Sequence, residues 1–445
     1  MRNRLWIGFA VLLYILTRCY LFIQTDTKAP QSGDAGHYYI IAQNLASHNI
    51  YADSPIMNQT NLDLVDSSPT AAATSPHTAS ATWRPPLWPF VLSVWMEITS
   101  NPHLQLVLKL AFEGLLLGFA YLILRSMDLA TITPGVVLCL LAIEPHYMKY
   151  SMAFLSENLT AFLLVLLTGS FLYSMITHSR LATCCVMIFG GLAVMSHPVV
   201  IFFVFFILVV TLVKACQFDG IYFSIVSFVI FVVILLSWPL RNELVFNHGM
   251  FMTSSQGAVF SKSWNDKVLI KHTNTQGDLL DEGLNVTRYS DLLAKLGSNP
   301  IQNSSIMQEA TLRYLGENDV FFLFKMALWK WYCGINPIPQ TEKSGSLEAI
   351  GTIFRVLYLI GLLLGIFALL THQFTANSIY YWSTWILIML FAAISITSIG
   401  LYTGLRFNSV YAPVNVIFTT FLIFGLCKSN LNKGLKNASV AKHAG

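Results

Sequence analysis

Long apolar runs alternate with polar stretches along the whole chain, and the polar stretches are of two kinds. Some are short and basic; two are long and mixed. Leu5 to Ile23 is the first apolar run, and its nineteen residues, at about 1.5 Å rise each, match the hydrocarbon thickness of a bilayer. Gln24 to Trp83 is the first long polar segment. Gly36 to Ser47 within it carries Tyr39, Ile40, Ala42 and Leu45 at the spacing of a short amphipathic helix, and Asn58 to Thr82, rich in Ser, Thr, Ala and Pro, reads as a loop. Pro85 to Ile98 is apolar but short, so it is expected to lie at the membrane edge rather than cross.

From there the pattern predicts Leu104 to Leu124 running inward, Ile132 to Tyr147 outward and Met152 to Ile176 inward. Ala182 to Phe206 and beyond is too long for one helix, and Ser196-His197-Pro198 makes it a hairpin with an external tip. Tyr222 to Trp238 runs outward again. Glu243 to about Asp319 is the second long polar segment, expected to pack over the first loop. Val320 to Trp331 is amphipathic and aromatic and predicts an interfacial helix. Ile353 to Leu370, Ile379 to Ile396 and Val410 to Leu426 are the last runs. The expectation is an all-α polytopic membrane protein with roughly ten transmembrane helices and two large external loops. Its organisation would be a transmembrane module over 1–240 with a first external loop at 24–103, an external region over 241–349, and a terminal set of helices over 350–445.

Composition and charge sharpen this picture. Of 445 residues, 55% are hydrophobic and only 11% charged, against about 25% charged in a soluble domain. A net charge of +4 without a Lys/Arg-rich run excludes a nucleic-acid binder. Seven scattered cysteines form neither a CxxC pair nor zinc spacing. Arg125, Arg180, Lys214 and the lysines after Leu426 fall on the side of the amino terminus, which the positive-inside rule makes cytoplasmic. The first run is expected to be retained as a helix, since no small-residue cleavage pattern follows it.

This topology gathers the remaining ionisable groups at the external ends of the spans. Asp34, His37, Arg84, Glu144, His146, Lys149, Glu157, His197, Arg241 and Arg406 all fall there. Ionisable groups at a bilayer edge are costly and usually line a site. Acids mixed with several cations suit an anionic ligand beside a carboxylate. Asp34 could also cap the helix that follows it, and Arg84 and Arg241 could be interface anchors. Arg406, in Gly404-Leu405-Arg406-Phe407 between two runs, is a candidate for bidentate phosphate binding.

The order of the motifs resembles that of the GT-C membrane glycosyltransferases. Asp34 precedes Tyr38-Tyr39-x-x-Ala42-x-x-Leu45. Then come Trp83-Arg84-Pro85-Pro86-Leu87-Trp88-Pro89 and Ser156-Glu157-Asn158-Leu159, followed by His197-Pro198. Trp238-Pro239-Leu240-Arg241-Asn242 and Leu405-Arg406-Phe407 complete the set. The chain is most similar to the branch holding protein O-mannosyltransferases and the lipid A aminoarabinose transferase. That resemblance implies a sugar transferase at the external face, in a bacterial cytoplasmic (inner) membrane. The donor would be a polyprenyl-phosphate sugar, and the acceptor a lipid, a glycan or a protein. It makes Asp34 the base. Arg84, Arg241, Arg406 and Lys149 would bind the donor phosphate. His37, Tyr38, Glu144, Glu157 and His197 would contact substrate or support those that do. No cofactor or metal site is assigned. The resemblance alone brings in a divalent cation, Mg or Mn, at Asp34, and Ala35 stands where many relatives carry a second acid. A carrier or flippase of an amphiphile, or a non-catalytic assembly protein, are the competing readings.

Overall fold

A computed structural model describes residues 2–24, 30, 33–52, 84–126, 133–247, 249–269, 295–297, 299–336, 346–375, 378–401 and 408–443. Among them lie sixteen α-helices: α1 (Arg2–Gln24), α2 (Gly33–His48), α3 (Leu87–Ile98), α4 (Pro102–Ser126), α5 (Thr133–Ile143), α6 (Pro145–Ser151), α7 (Glu157–Thr177), α8 (Arg180–Ser196), α9 (Ile201–Asp219), α10 (Ile221–Phe246), α11 (Gln256–Ser263), α12 (Pro300–Glu317), α13 (Val320–Ile335), α14 (Ser346–Leu370), α15 (Ile379–Gly400) and α16 (Ala412–His443). Two short 3-10 turns, Pro198–Val200 and Asp266–Leu269, join α8 to α9 and follow α11. Seven of the described helices are long and apolar enough to cross a membrane. α5, α8 and the Ala412–Cys427 part of α16 are shorter apolar helices of the same bundle. With the seven, they match in number the roughly ten spans read from the sequence.

Contacts between neighbours fix the direction of each helix. Phe22 lies against His103 with ring centroids 6.2 Å apart, and Tyr14 Oη donates to Leu110 O at 2.7 Å, so α1 and α4 are antiparallel. The end of α1 and the start of α4 therefore share one side, and α2 and α3, packed on each other, enter and leave on that side. α3 does not cross. A Cβ on Gly135 would run into Trp6 Cβ, and Arg18 reaches Ala142 O at 2.6 Å, so α5 runs parallel to α1. Thr160 bonds Ser196 and Ser174 bonds Thr183, each at 2.8 Å, which zips α7 to an antiparallel α8. At the opposite end Arg180 pairs with Asp219 at 2.8 Å and His178 stacks on Phe218 at 3.9 Å. This is the basic end, the one the positive-inside reading of the sequence expects to be cytoplasmic.

The last helices approach one another through Gly361-Leu362-Leu363-Leu364-Gly365 on α14. A Cβ at Gly361 would sit 2.5 Å from Thr419 Cγ2 on α16, and one at Gly365 2.8 Å from Thr384 Cγ2 on α15. Two glycines four residues apart let backbones pack at a distance no larger side chain allows, the usual device where lipid supplies no hydrophobic drive.

Several ends differ from the sequence reading for local reasons. α10 continues through Pro239 to Phe246, where Asn247 closes it in a left-handed cap at φ 49°. The outward run from Ile132 breaks at Glu144, because Pro145 forces extended backbone on the residue before it (φ −61°, ψ 116°). Beyond the bundle, α11 and α12 pack together; Gly257 is the contact, where a Cβ would run into Ser304 O. α13 lies on the C-terminal end of α15, with Trp331 Nε1 donating to Ser395 Oγ at 3.0 Å and Lys330 Nζ to Ile399 O at 2.6 Å. One face of α13 shows Phe321, Phe324, Leu328 and Tyr332 exposed, at helical spacing.

Candidate functional site

α2 begins at Gly33, whose φ of 66° suits glycine, and the first turn carries Asp34. The chain then leaves and returns at Arg84, fifty residues on, to pair with it. Arg84 also donates to His37 Nδ1 at 3.1 Å. A guanidinium only donates, so Nδ1 accepts and the ring is held as the Nε2–H form. Tyr38, one residue on, lies beneath the Arg84 guanidinium at 5.5 Å and shares a 3.3 Å hydrogen bond with Ser156 Oγ at the start of α7. Burial pushes the Tyr38 phenol up to about 12, against a smaller pull from Arg84. It therefore stays protonated as a donor at physiological pH. Glu157, 2% exposed, adjoins Ser156 and acts on Tyr38 electrostatically.

Tyr51 extends this group to α10. Its hydroxyl donates to Arg84 O at 3.0 Å, and its ring meets Trp238 edge-on at 4.7 Å. Arg241 sits over both rings, at 5.4 Å and 4.7 Å, and donates to Asn242 Oδ1 at 3.0 Å. The structure thus brings Asp34, His37, Tyr38, Arg84 and Arg241 into one continuous group, with Ser156 and Glu157 at its edge. Arg84 Nε is buried and makes no hydrogen bond to a described residue.

Glu144 and His146 belong to a second group. Glu144 caps α6, taking the Tyr147 N–H at 2.6 Å, and its other oxygen takes His146 Nδ1–H at 2.8 Å and Tyr358 Oη at 3.4 Å. Arg355 donates to His146 Nε2, so this ring is the Nδ1–H form. Arg355, Tyr358 and His146 open on a cleft of about 90 Å³ between α14, α15 and α16. His197 caps the C-terminal end of α8, and the neighbouring Val199 O accepts from Tyr411 Oη at 3.3 Å. Arg406 and the Lys149 side chain lie outside the described residues.

A third group holds α6 from within the bundle. Lys109 Nζ, 1% exposed, donates to Tyr150 O at 2.7 Å and Ser151 O at 2.9 Å and lies 3.2 Å from Glu113. Arg18, 2% exposed, faces Tyr14 and Tyr147. Lys109, Arg18 and Arg355 escaped the sequence reading, although each is a cation inside an apolar run, the signal that marks a membrane protein's interior.

Among the described residues no three His, Cys, Asp or Glu side chains are arranged to hold a metal ion. Asp34 is paired with the Arg84 guanidinium, which already supplies its counter-charge, a pairing that does not favour a divalent cation there.

No family model matches the chain, and no curated protein matches it. Solved structures similar to it include ArnT from Cupriavidus metallidurans in the apo state and the same protein bound to undecaprenyl phosphate. Identity is 13% in both; the matches cover 90% and 89% of this chain and 78% and 77% of those chains, with TM-scores of 0.38 and 0.41.

Proposed function

We propose that the protein is an integral-membrane glycosyltransferase that moves a sugar from a polyprenyl-phosphate donor to a hydroxyl of a lipid, glycan or protein at the external face. The observation that carries this reading is the Asp34–Arg84 pair, bordered by His37, Tyr38 and Arg241 at the external end of the bundle. Asp34 is 34% exposed at its side chain and so is open to an acceptor, while Arg84 offers a buried Nε to an anion. The motif order of the sequence agrees with it.

The step is a direct displacement. The acceptor oxygen bonds to C1 of the sugar as the C1–O bond to phosphate breaks. The hydroxyl proton passes to the Asp34 carboxylate, and the electron pair leaves with the phosphate, where Arg84 and Arg241 offset the charge. Tyr38 contributes a neutral donor beside them. Attack from the face opposite the leaving group inverts the anomeric centre. Arg406 and Lys149 remain further candidates for the phosphate, and Glu157 for the acceptor.

Membranes bearing Asp34→Asn, supplied with a panel of polyprenyl-phosphate hexoses and pentoses, should lose transfer by about 10²-fold or more, the scale of a positioned base. Undiminished transfer would refute the assignment. A carrier of an amphiphile is the second reading, favoured by the buried Arg18, Lys109 and Glu113. It predicts lipid movement across proteoliposomes that Asp34→Asn leaves intact.

A further inference from the structure

Tyr51 touches Arg84 and Arg241, and it does so with different parts of one side chain. Its hydroxyl proton is shared between Arg84 O at 3.0 Å and Pro85 O at 3.2 Å, on the stretch that enters α3. Pro85 and Pro86 lock two φ angles of that stretch, so holding its carbonyls fixes where the Arg84 side chain starts. The Tyr51 ring lies under the Arg241 guanidinium at 5.4 Å and meets Trp238 edge-on at 4.7 Å, both on α10. The negative face of an aromatic ring attracts a guanidinium and so fixes where it rests.

Tyr51 is itself held on both sides. Asn49 closes α2 in the left-handed region at φ 56°, and Asn44 Nδ2, from within α2, donates to Ala52 O at 2.9 Å. Tyr51 between them is 7% exposed. Arg241 is tied at its far side to Asn242 Oδ1 at 3.0 Å, and Asn242 Nδ2 donates to Met250 O and Met252 O, each at 3.3 Å. Arg241 therefore rests between a fixed amide and a fixed ring, while the backbone of Arg84 is held by the hydroxyl of that same ring.

We propose that Tyr51 is a positioning residue that sets the distance between Arg84 and Arg241, its hydroxyl placing the first and its ring the second. Loss of the hydroxyl frees the Arg84 carbonyl and leaves Arg241 on its ring; loss of the ring frees both. In the transfer reaction charge gathers on the departing group, and two cations offset it only while both are aimed at it. The kinetic half of the inference rests on that proposed reaction, and the spacing does not.

The test has two arms, both on the full chain in nanodiscs. In the first, Val94→Cys on α3 and Leu240→Cys on α10, at positions 54% and 60% exposed, carry nitroxide labels in a background whose seven native cysteines are replaced. Pulsed electron–electron double resonance then reads the distance between the labels. The parent should give one narrow distribution, Tyr51→Phe a broader one and Tyr51→Leu the broadest. In the second arm, kcat and KM are measured with the panel of polyprenyl-phosphate hexoses and pentoses. Misplaced cations weaken the transition state more than the bound donor, so Tyr51→Phe should lower kcat about tenfold and Tyr51→Leu about 10²-fold, with KM within about threefold of the parent. A side chain that only fills space would lower the melting temperature of Tyr51→Leu and leave kcat per folded molecule unchanged, which overturns the proposal. Tyr51→Phe keeps the ring packed and carries both arms should Tyr51→Leu fail to fold. Distance distributions that match the parent's overturn the proposal whatever the kinetics. If the parent transfers none of the sugars while the distributions broaden in the stated order, the transfer reading falls and the role of Tyr51 in spacing stands.

Discussion

Replacing Lys109 by Met tests the core of the bundle most directly. The ammonium is 1% exposed and its partner Glu113 is fully buried, 3.2 Å away on the next turn of α4. Lys109 also donates to Tyr150 O and Ser151 O, the last carbonyls of α6. Each such charge-assisted bond contributes about 1.5–3 kcal/mol, and removing one member of a buried pair costs about 3–5 kcal/mol because the other charge is stranded. These effects overlap, so the expected loss is about 3–5 kcal/mol rather than their sum. Lys109→Met/Glu113→Leu removes the stranded carboxylate as well and should recover most of that loss. Unfolding of the purified protein in detergent, followed by tryptophan fluorescence, measures both variants against the parent. A single variant within about 1 kcal/mol of the parent, or a double variant no better than the single, would refute the argument.

Two further outcomes are expected. Burial brings the Lys330 ammonium down to about 7, whereas in the unfolded chain it titrates near its usual ~10.4. Between those values the unfolded chain binds the extra proton, so stability should rise from pH 7 to pH 10 and fall back as pH is lowered, and Lys330→Met should remove that part of the pH dependence of the melting temperature. Gly257→Ala would favour an isolated helix by about 0.5–1 kcal/mol, yet here the new methyl meets Ser304 O, so a net loss of about 1–3 kcal/mol in thermal unfolding is expected; a gain would show that α11 and α12 are not in contact.

Much of the architecture could be read from periodicity and charge alone. Run length marked the spans, and Arg125, Arg180 and Lys214 gave their direction. Parity placed Leu87–Ile98 at the membrane edge, and the Phe22–His103 contact puts the end of α1 and the start of α4 side by side. What periodicity could not supply was pairing across the bundle. The external ends hold many ionisable groups, and nothing in their spacing separates the Asp34–Arg84 group from the Glu144–His146 group. That division depends on where α6 lies, and α6 depends on the break at Glu144-Pro145, which merged with its neighbours in an apolar run. Arg355 was hidden for the same reason. Eighteen or more apolar residues read as a span whether or not one of them is a cation, and only its helical neighbours reveal which way it points.

α6 itself has a consequence of another kind. Seven residues are too few to hold a helix in isolation. Its order comes from Glu144 at the positive end and Lys109 at the negative end, two charges matched to its dipole. The same carboxylate orients His146 toward the cleft, and the chain leaving α6 leads directly to Ser156 beside Tyr38. The two groups are therefore geared to one short axle: a shift of α6 along its axis would be felt at the Arg355 cleft and at the Asp34 site in the same movement.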